Sequence, residues 1–181
     1  MERIVFVPWE RVSLVVPEKQ DFELMYRAIN NVNILKNLNY VMHNTRETEE
    51  KFLNWVLEKA QKFFMIMLNE TKEIIGGVSF NESDDISRNG LIWITLYDET
   101  KMWKGYGTDA MKLFLKYAFE YIWYHKVRLN VFWNNLRAQK AYQKVGFRTV
   151  WVFKDEVYIM WEYVDSIAME MLRSEWENLN I

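Results

Sequence analysis

The stretch Lys104-Gly105-Tyr106-Gly107-Thr108 offers chemistry through its backbone more than through its side chains. Two glycines one residue apart let the chain turn tightly with no Cβ in the way. The residues that follow, Asp109-Ala-Met-Lys-Leu-Phe-Leu-Lys-Tyr-Ala-Phe119, keep helical spacing of apolar positions. A helix opening here presents unpaired N–H groups and the positive end of its dipole, which together seat an anion, most often a phosphate. Just upstream, Leu91-Ile-Trp-Ile-Thr-Leu-Tyr97 predicts a buried strand, so the glycines fall in a strand–turn–helix context.

Spacing separates the phosphate motifs. A P-loop needs four residues between its glycines and a Lys-Ser/Thr after the second; here one residue intervenes and Lys104 comes before. A dinucleotide fingerprint needs a third glycine at position 110, where Ala, only sometimes allowed, stands, and an acidic residue about 20 positions further on, where only Glu120, inside the helix, is available. A plain tight turn is the bland alternative for the pair. Further on, Val127-Arg-Leu-Asn-Val-Phe-Trp133 alternates as a strand does. Asn134-Asn135-Leu-Arg137-Ala-Gln-Lys-Ala-Tyr142-Gln-Lys-Val-Gly146-Phe147 then predicts a short helix, opened by an Asn cap and closed by Gly146. Asn135 and Tyr142, seven residues apart, share one face of it.

The pairing of these two motifs resembles the GNAT N-acetyltransferase superfamily. That family shows Gln/Arg-x-x-Gly-x-Gly/Ala opening a helix, then a strand, then Asn-x-Arg-Ala-x-x-x-Tyr-x-Lys-x-Gly-Phe, as here from Met102 to Phe147. Within it the chain is most similar to the branch of ribosomal-protein N-terminal and spermidine acetyltransferases. The ending Asp165-Ser-Ile-Ala-Met-Glu-Met-Leu-Arg-Ser-Glu-Trp176 adds to that likeness.

The resemblance implies an α+β fold with a mixed, mostly antiparallel six- to seven-stranded sheet. Two parallel central strands, 91–97 and 126–133, would splay apart and receive the pantetheine arm of acetyl-CoA. It also implies attack of a neutral primary amine, a peptide N-terminus or a polyamine-like amine, on the acetyl thioester. The diphosphate would lie on the N–H groups of Met102, Trp103, Lys104, Gly105, Tyr106, Gly107 and Thr108. A backbone N–H at Leu96 or Tyr97 would hold the oxyanion. Tyr142 would protonate the leaving thiolate, Asn135 would bind the pantetheine arm, and Arg137 the 3′-phosphate or adenine. Met102 departs from the family's Gln/Arg and cannot donate, which shifts the load to main chain and to Lys101 or Lys104. The amine must also lose a proton, its reference pKa being about 10.4. Glu82, near the acidic pair Asp84 and Asp85, is the candidate base; Tyr97 and Asp98 are others. A catalytically weak acyl-CoA-binding module is the alternative reading.

Composition agrees with one domain spanning residues 1–181. The chain is 50% hydrophobic and 17% aromatic with nine Trp. It has no apolar run long enough for a membrane span and no signal-peptide pattern. Absence of cysteine excludes disulfides and thiol nucleophiles and fits a cytoplasmic protein. A net charge of −2 gives no basis for nucleic-acid binding, and His43 and His125 form no ligand-spaced cluster, so no metal is expected.

Positioning elements follow from the pattern. A strand is expected at 10–16, a helix at 19–30, an irregular Asn-rich stretch at 31–45, and a helix at 47–61 capped by Thr45 or Thr48. Strands at 63–68 and 73–80, a polar loop at 81–90, the motif elements, and strands at 147–154 and 157–164 complete it. Trp93, Trp103, Trp123, Trp133, Trp151 and Trp161 are expected mainly to pack in the core, a cation–π cage for an amine being the alternative. The stretch 31–45 and the loop at 155–161 lie where the family shapes its acceptor pocket. Exposed aromatics near the C-terminus would suit a homodimer.

Overall fold

The computed structural model describes residues 3–35, 38, 42–159 and 161–179. Parts of the two expected acceptor-pocket segments, residues 36, 37, 39–41 and 160, therefore lie outside the described residues. The elements are β1 (Val5–Pro8), β2 (Val12–Val15), α1 (Phe22–Ile29), α2 (Val32–Leu35), α3 (Arg46–Lys59), β3 (Phe63–Leu68), β4 (Ile74–Asp84) and β5 (Asn89–Leu96). Then come α4 (Tyr106–Lys116), a π-turn at Tyr117–Tyr121, β6 (Lys126–Phe132), α5 (Leu136–Val145), β7 (Arg148–Ile159), β8 (Glu162–Leu172) and α6 (Arg173–Glu177). The strands form one sheet in the order β1-β2-β3-β4-β5-β6-β8-β7.

Eight strands exceed the expected six to seven because β1 pairs with β2, Val5 opposite Val15 and Pro8 opposite Ser13. The polar stretch 81–90 is also mostly strand. β4 runs on through Asp84, and the turn at 85–88 is held by Asp84, whose Oδ1 accepts the N–H groups of Ile86 and Ser87 at 2.9 Å. Four exposed polar residues carry no apolar alternation, so nothing in their types announced a strand. The helix that opens after the glycine loop closes in the π-turn.

The chain divides into two compact units. The first holds Met1–Ser79 and Ile94–Ala110. Its core is β3, buried at every position, with Val12, Leu14, Val15, Ile75 and Val78 beside it and Leu53 and Val56 from α3. Thr45 caps α3, its side chain accepting the Thr48 N–H at 3.2 Å. The second unit holds Phe80–Trp93 and Met111–Ile181. The Phe114 ring on α4 lies 4.8 Å from that of Phe80, tilted by 50°, and Phe80 lies 5.0 Å from Tyr124. Val127, Leu129 and Val131 of β6, with Ile167, Met169 and Met171 of β8, are buried there too. Each such side chain contributes about 1.5–3 kcal/mol on burial.

The tryptophans overturn one expectation. Trp103, Trp123, Trp133, Trp151 and Trp161 are exposed, Trp161 at 88%. Trp103, Trp123 and Trp161 stand at positive φ, in turns whose side chains leave the core. Trp176 is the buried one at 6%, packed 5.9 Å from Phe119.

Candidate active site

The β5–β6 ladder is parallel and short. Its register joins Asn89 to Lys126, Gly90 to Val127 and Leu91 to Arg128, while β5 continues to Leu96 and β6 to Phe132. A strand leaving its partner presents backbone groups that must be satisfied otherwise. At the far end of β5, Tyr97 N–H donates to Ile75 O at 2.8 Å. Successive residues of a strand point their N–H groups to opposite edges, so the Leu96 N–H faces away from β4. Of the two expected oxyanion donors, Leu96 is thus the one whose N–H leaves the β4 side.

After Tyr97 the chain makes a capped turn, Asp98 accepting the Thr100 N–H at 2.8 Å, and reaches the glycine loop. Trp103 (φ 65°) and Gly105 (φ 84°) take left-handed backbone on either side of Lys104. Alternation of this kind turns consecutive N–H groups toward one concavity, an anion nest. Both ends of the expected cradle are engaged: Met102 N–H donates to Glu99 O and Thr108 N–H to Gly105 O, each at 3.0 Å. The N–H groups of Lys104, Gly105, Tyr106 and Gly107 make no hydrogen bond among the described residues, and the last two open α4. Lys101 is drawn to Glu73 by an ion pair that raises its pKa, leaving Lys104 as the exposed cation of the loop. Gly107 lies against Leu96, whose Cδ1 is 3.8 Å from where a Cβ would stand.

The second unit carries α5 as expected. Asn135 caps it, Oδ1 accepting the Ala138 N–H at 3.2 Å, and Gly146 closes it at φ 112° with its N–H on Tyr142 O. Tyr142 rests edge-on to Phe147 at 6.1 Å. Burial pushes its hydroxyl up to about 12, against the opposing pull of the Arg137 charge. The phenol therefore stays protonated at any physiological pH, as a proton donor must.

These motifs coincide with a known family. Residues 11–148 match the acetyltransferase (GNAT) domain, about three quarters of the chain. The chain belongs to the GNAT acetyltransferase family. As a GNAT protein it is an acetyl-CoA-dependent N-acetyltransferase. It is 25% identical over 169 residues to the spermidine N(1)-acetyltransferase of Vibrio cholerae, covering 93% of this chain and 96% of that protein. The crystal structure of spermidine N-acetyltransferase from Vibrio cholerae in complex with CoA and spermine superposes with a TM-score of 0.86 at 24% identity, covering 93% of this chain and 99% of that one. A GNAT acetyltransferase from Bacillus anthracis gives 0.81 at 20% identity over 93% and 98%. The solved structures establish the GNAT fold.

Glu82 is exposed on β4 in the second unit, within a strand instead of a loop. Asp84 is committed to its turn and Asp85 accepts the Tyr124 hydroxyl, so two members of the acidic trio have local work. Asp165 accepts Lys154 Nζ at 2.7 Å and the Asp155 N–H at 3.0 Å, tying down the bulge of β7.

Two features went unread in the sequence. Arg11 reaches the loop from just before β2: Nε donates to Asp109 Oδ2 at 2.7 Å, NH1 to Lys104 O at 3.1 Å, and the guanidinium lies 5.3 Å over the Tyr106 ring. Its NH2 sits 2.9 Å from where a Gly105 Cβ would be. Glu49 is the other, buried at 3% exposure on α3. Glu49, Leu53 and Val56 form one i, i+4, i+7 stripe, so an acid at the head of a core-facing row was the available signal.

Proposed function

We propose that this single catalytic domain transfers the acetyl group of acetyl-CoA to a primary amine of a polyamine-like acceptor. The N–H groups from Lys104 to Gly107, opening α4 beside the exposed Lys104 side chain, carry the reading. It suits a diphosphate through backbone donors, so a donor at Met102 is dispensable. The cap on Asn135 uses Oδ1 and leaves the Nδ2 donors for a pantetheine carbonyl. Arg137 lies close enough to act on Tyr142, and a coenzyme phosphate is the anion it would meet.

The reaction follows from these roles. The amine nitrogen forms its bond to the acetyl carbon, and the developing oxyanion takes the Leu96 N–H. The C–S bond then breaks, and the thiolate takes the Tyr142 proton. Proton transfer from a phenol raised this far works only for a thiolate sharing its poorly solvated surroundings, which raise the thiolate as well. Glu82 receives the amine proton through water. The acceptor class is supported by the Vibrio cholerae relatives that bear spermidine in their names. A cysteine-free chain suits a cytoplasmic setting.

A thiol-release assay tests the reading with acetyl-CoA against spermidine and a Ser- or Ala-starting peptide. Steady turnover with spermidine, abolished in Tyr142→Phe, is expected; turnover on the peptide alone would move the acceptor to protein N-termini. The missing donor at Met102 favours one second reading, an acyl-CoA-binding module, which predicts coenzyme binding without turnover of any amine.

A further inference from the structure

Arg11 reaches the glycine loop from a corner that is itself tied down. Its carbonyl accepts the Asn69 N–H at 3.0 Å. Asn69 Nδ2 donates to Trp9 O at 2.6 Å and to Glu10 O at 3.1 Å, and Ser13 Oγ donates to Asn69 Oδ1 at 2.6 Å. One amide side chain thus fixes the backbone on both sides of Arg11, between β1 and β2. The guanidinium then engages the loop with all three nitrogens, entirely within the first unit. Nε and NH2 each lie 2.7 Å from Asp109 Oδ2, and NH1 donates to Lys104 O at 3.1 Å.

Both contacts bear on the open N–H groups. A trans peptide points its C=O and its N–H in opposite directions. Drawing Lys104 O toward Arg11 therefore turns the Gly105 N–H to the other side. Asp109 is the acid in the first turn of α4. Helical side chains lean toward the N-terminus, and a carboxylate there is a natural acceptor for unpaired N–H groups. Asp109 is therefore an internal competitor for the donors that a diphosphate needs. Its Oδ2 meets Arg11 instead, and among the described residues no N–H from Lys104 to Gly107 donates to it. Met102 adds no side-chain donor, so affinity depends on how those N–H groups are presented.

We propose that Arg11 is the positioning residue of the coenzyme's diphosphate seat: it turns the Lys104–Gly105 peptide and holds Asp109 off the open N–H groups. This rests on the acetyltransferase reading above and adds to it the residue that keeps the phosphate loop open. The ion pair is then asymmetric in its effect. Loss of Arg11 frees a competing carboxylate and leaves its charge uncancelled beside the diphosphate. Loss of the Asp109 charge removes the competitor, while the bond from NH1 to Lys104 O remains. A pair that served only as a staple would be harmed equally from either end.

The test titrates acetyl-CoA calorimetrically into wild type, Arg11→Met, Asp109→Asn and the double variant, with an unfolding curve for each. The expected Kd rises by about tenfold in Arg11→Met and stays within about threefold of wild type in Asp109→Asn. In the double variant binding recovers by about threefold or more relative to Arg11→Met. The loss falls on KM for acetyl-CoA more than on kcat. Equal losses in the two single variants with no recovery in the double variant overturn the inference, as does wild-type affinity in Arg11→Met; the acetyltransferase reading survives either result. If Arg11→Met fails to fold, Asp109→Asn still decides: binding weakened about tenfold there overturns the inference. A wild-type protein that binds no acetyl-CoA defeats the broader reading.

Discussion

Arg11 and Asp109, 98 residues apart in sequence, meet at 2.7 Å and fasten the glycine loop to the start of β2. The same guanidinium also holds Lys104 O, so one side chain sets both the turn and the first turn of α4. An exposed ion pair of this kind adds little to global stability. Its value is in geometry. Arg11→Met is expected to raise KM for acetyl-CoA by about tenfold with kcat near wild type, and Arg11→Lys to recover little, because an ammonium lacks the two-point fork. Steady-state kinetics with varied acetyl-CoA, beside an unfolding curve shifted by less than about 1 kcal/mol, checks both halves.

Tyr142→Phe retains the ring packed against Phe147 and removes the proton. We expect kcat to fall by about 10²–10⁴ while the acetyl-CoA Kd stays within about twofold. Because burial raises the Tyr142 hydroxyl to about 12, wild-type kcat should show no alkaline decline from this group through pH 10. A decline centred near the ordinary tyrosine value would contradict the environment described for it.

Glu49 links stability to pH. Burial raises its folded-state pKa above the unfolded value of about 4.3. The native state therefore binds the proton more tightly, and stability from this group is complete at low pH and lost as pH climbs to the folded pKa. Glu49→Gln should melt at a higher temperature than wild type at pH 8, with the gap closing near pH 4. Calorimetric scans across that range decide it; a variant less stable at pH 8 would mean the carboxylate has a counter-charge.

Gly146→Ala should destabilise the second unit by about 1–3 kcal/mol. The residue stands at φ 112°, and a Cβ would come within 2.7 Å of Leu179 Cδ1 and 3.0 Å of Met171 Cε. Denaturant titration measures the loss. Tyr142 and Phe147 flank this cap, so activity should fall with it.

Local rules made part of this legible. The Thr45 and Asn135 caps, the Gly146 stop and the strand–turn–helix around Gly105 each depend on residues within a few positions, and each stands as the spacing predicts. What failed depends on distant partners. β1 becomes a strand only because β2 pairs with it. Arg11 shows its purpose only once Asp109 is beside it. Glu49 is one more helix acid until α3 turns it inward. Aromatic content likewise says nothing about direction: Trp151 lies on β7 and faces out.

That outward set of tryptophans determines how the protein will report on itself in solution. Six of the nine indoles, Trp103 among them at 84% exposure, are open to iodide or acrylamide quenching in the native state. Emission should therefore be red-shifted before any denaturant is added, and a poor gauge of unfolding. Since Trp103 borders the cradle, shielding by added coenzyme gives a label-free optical titration of the loop.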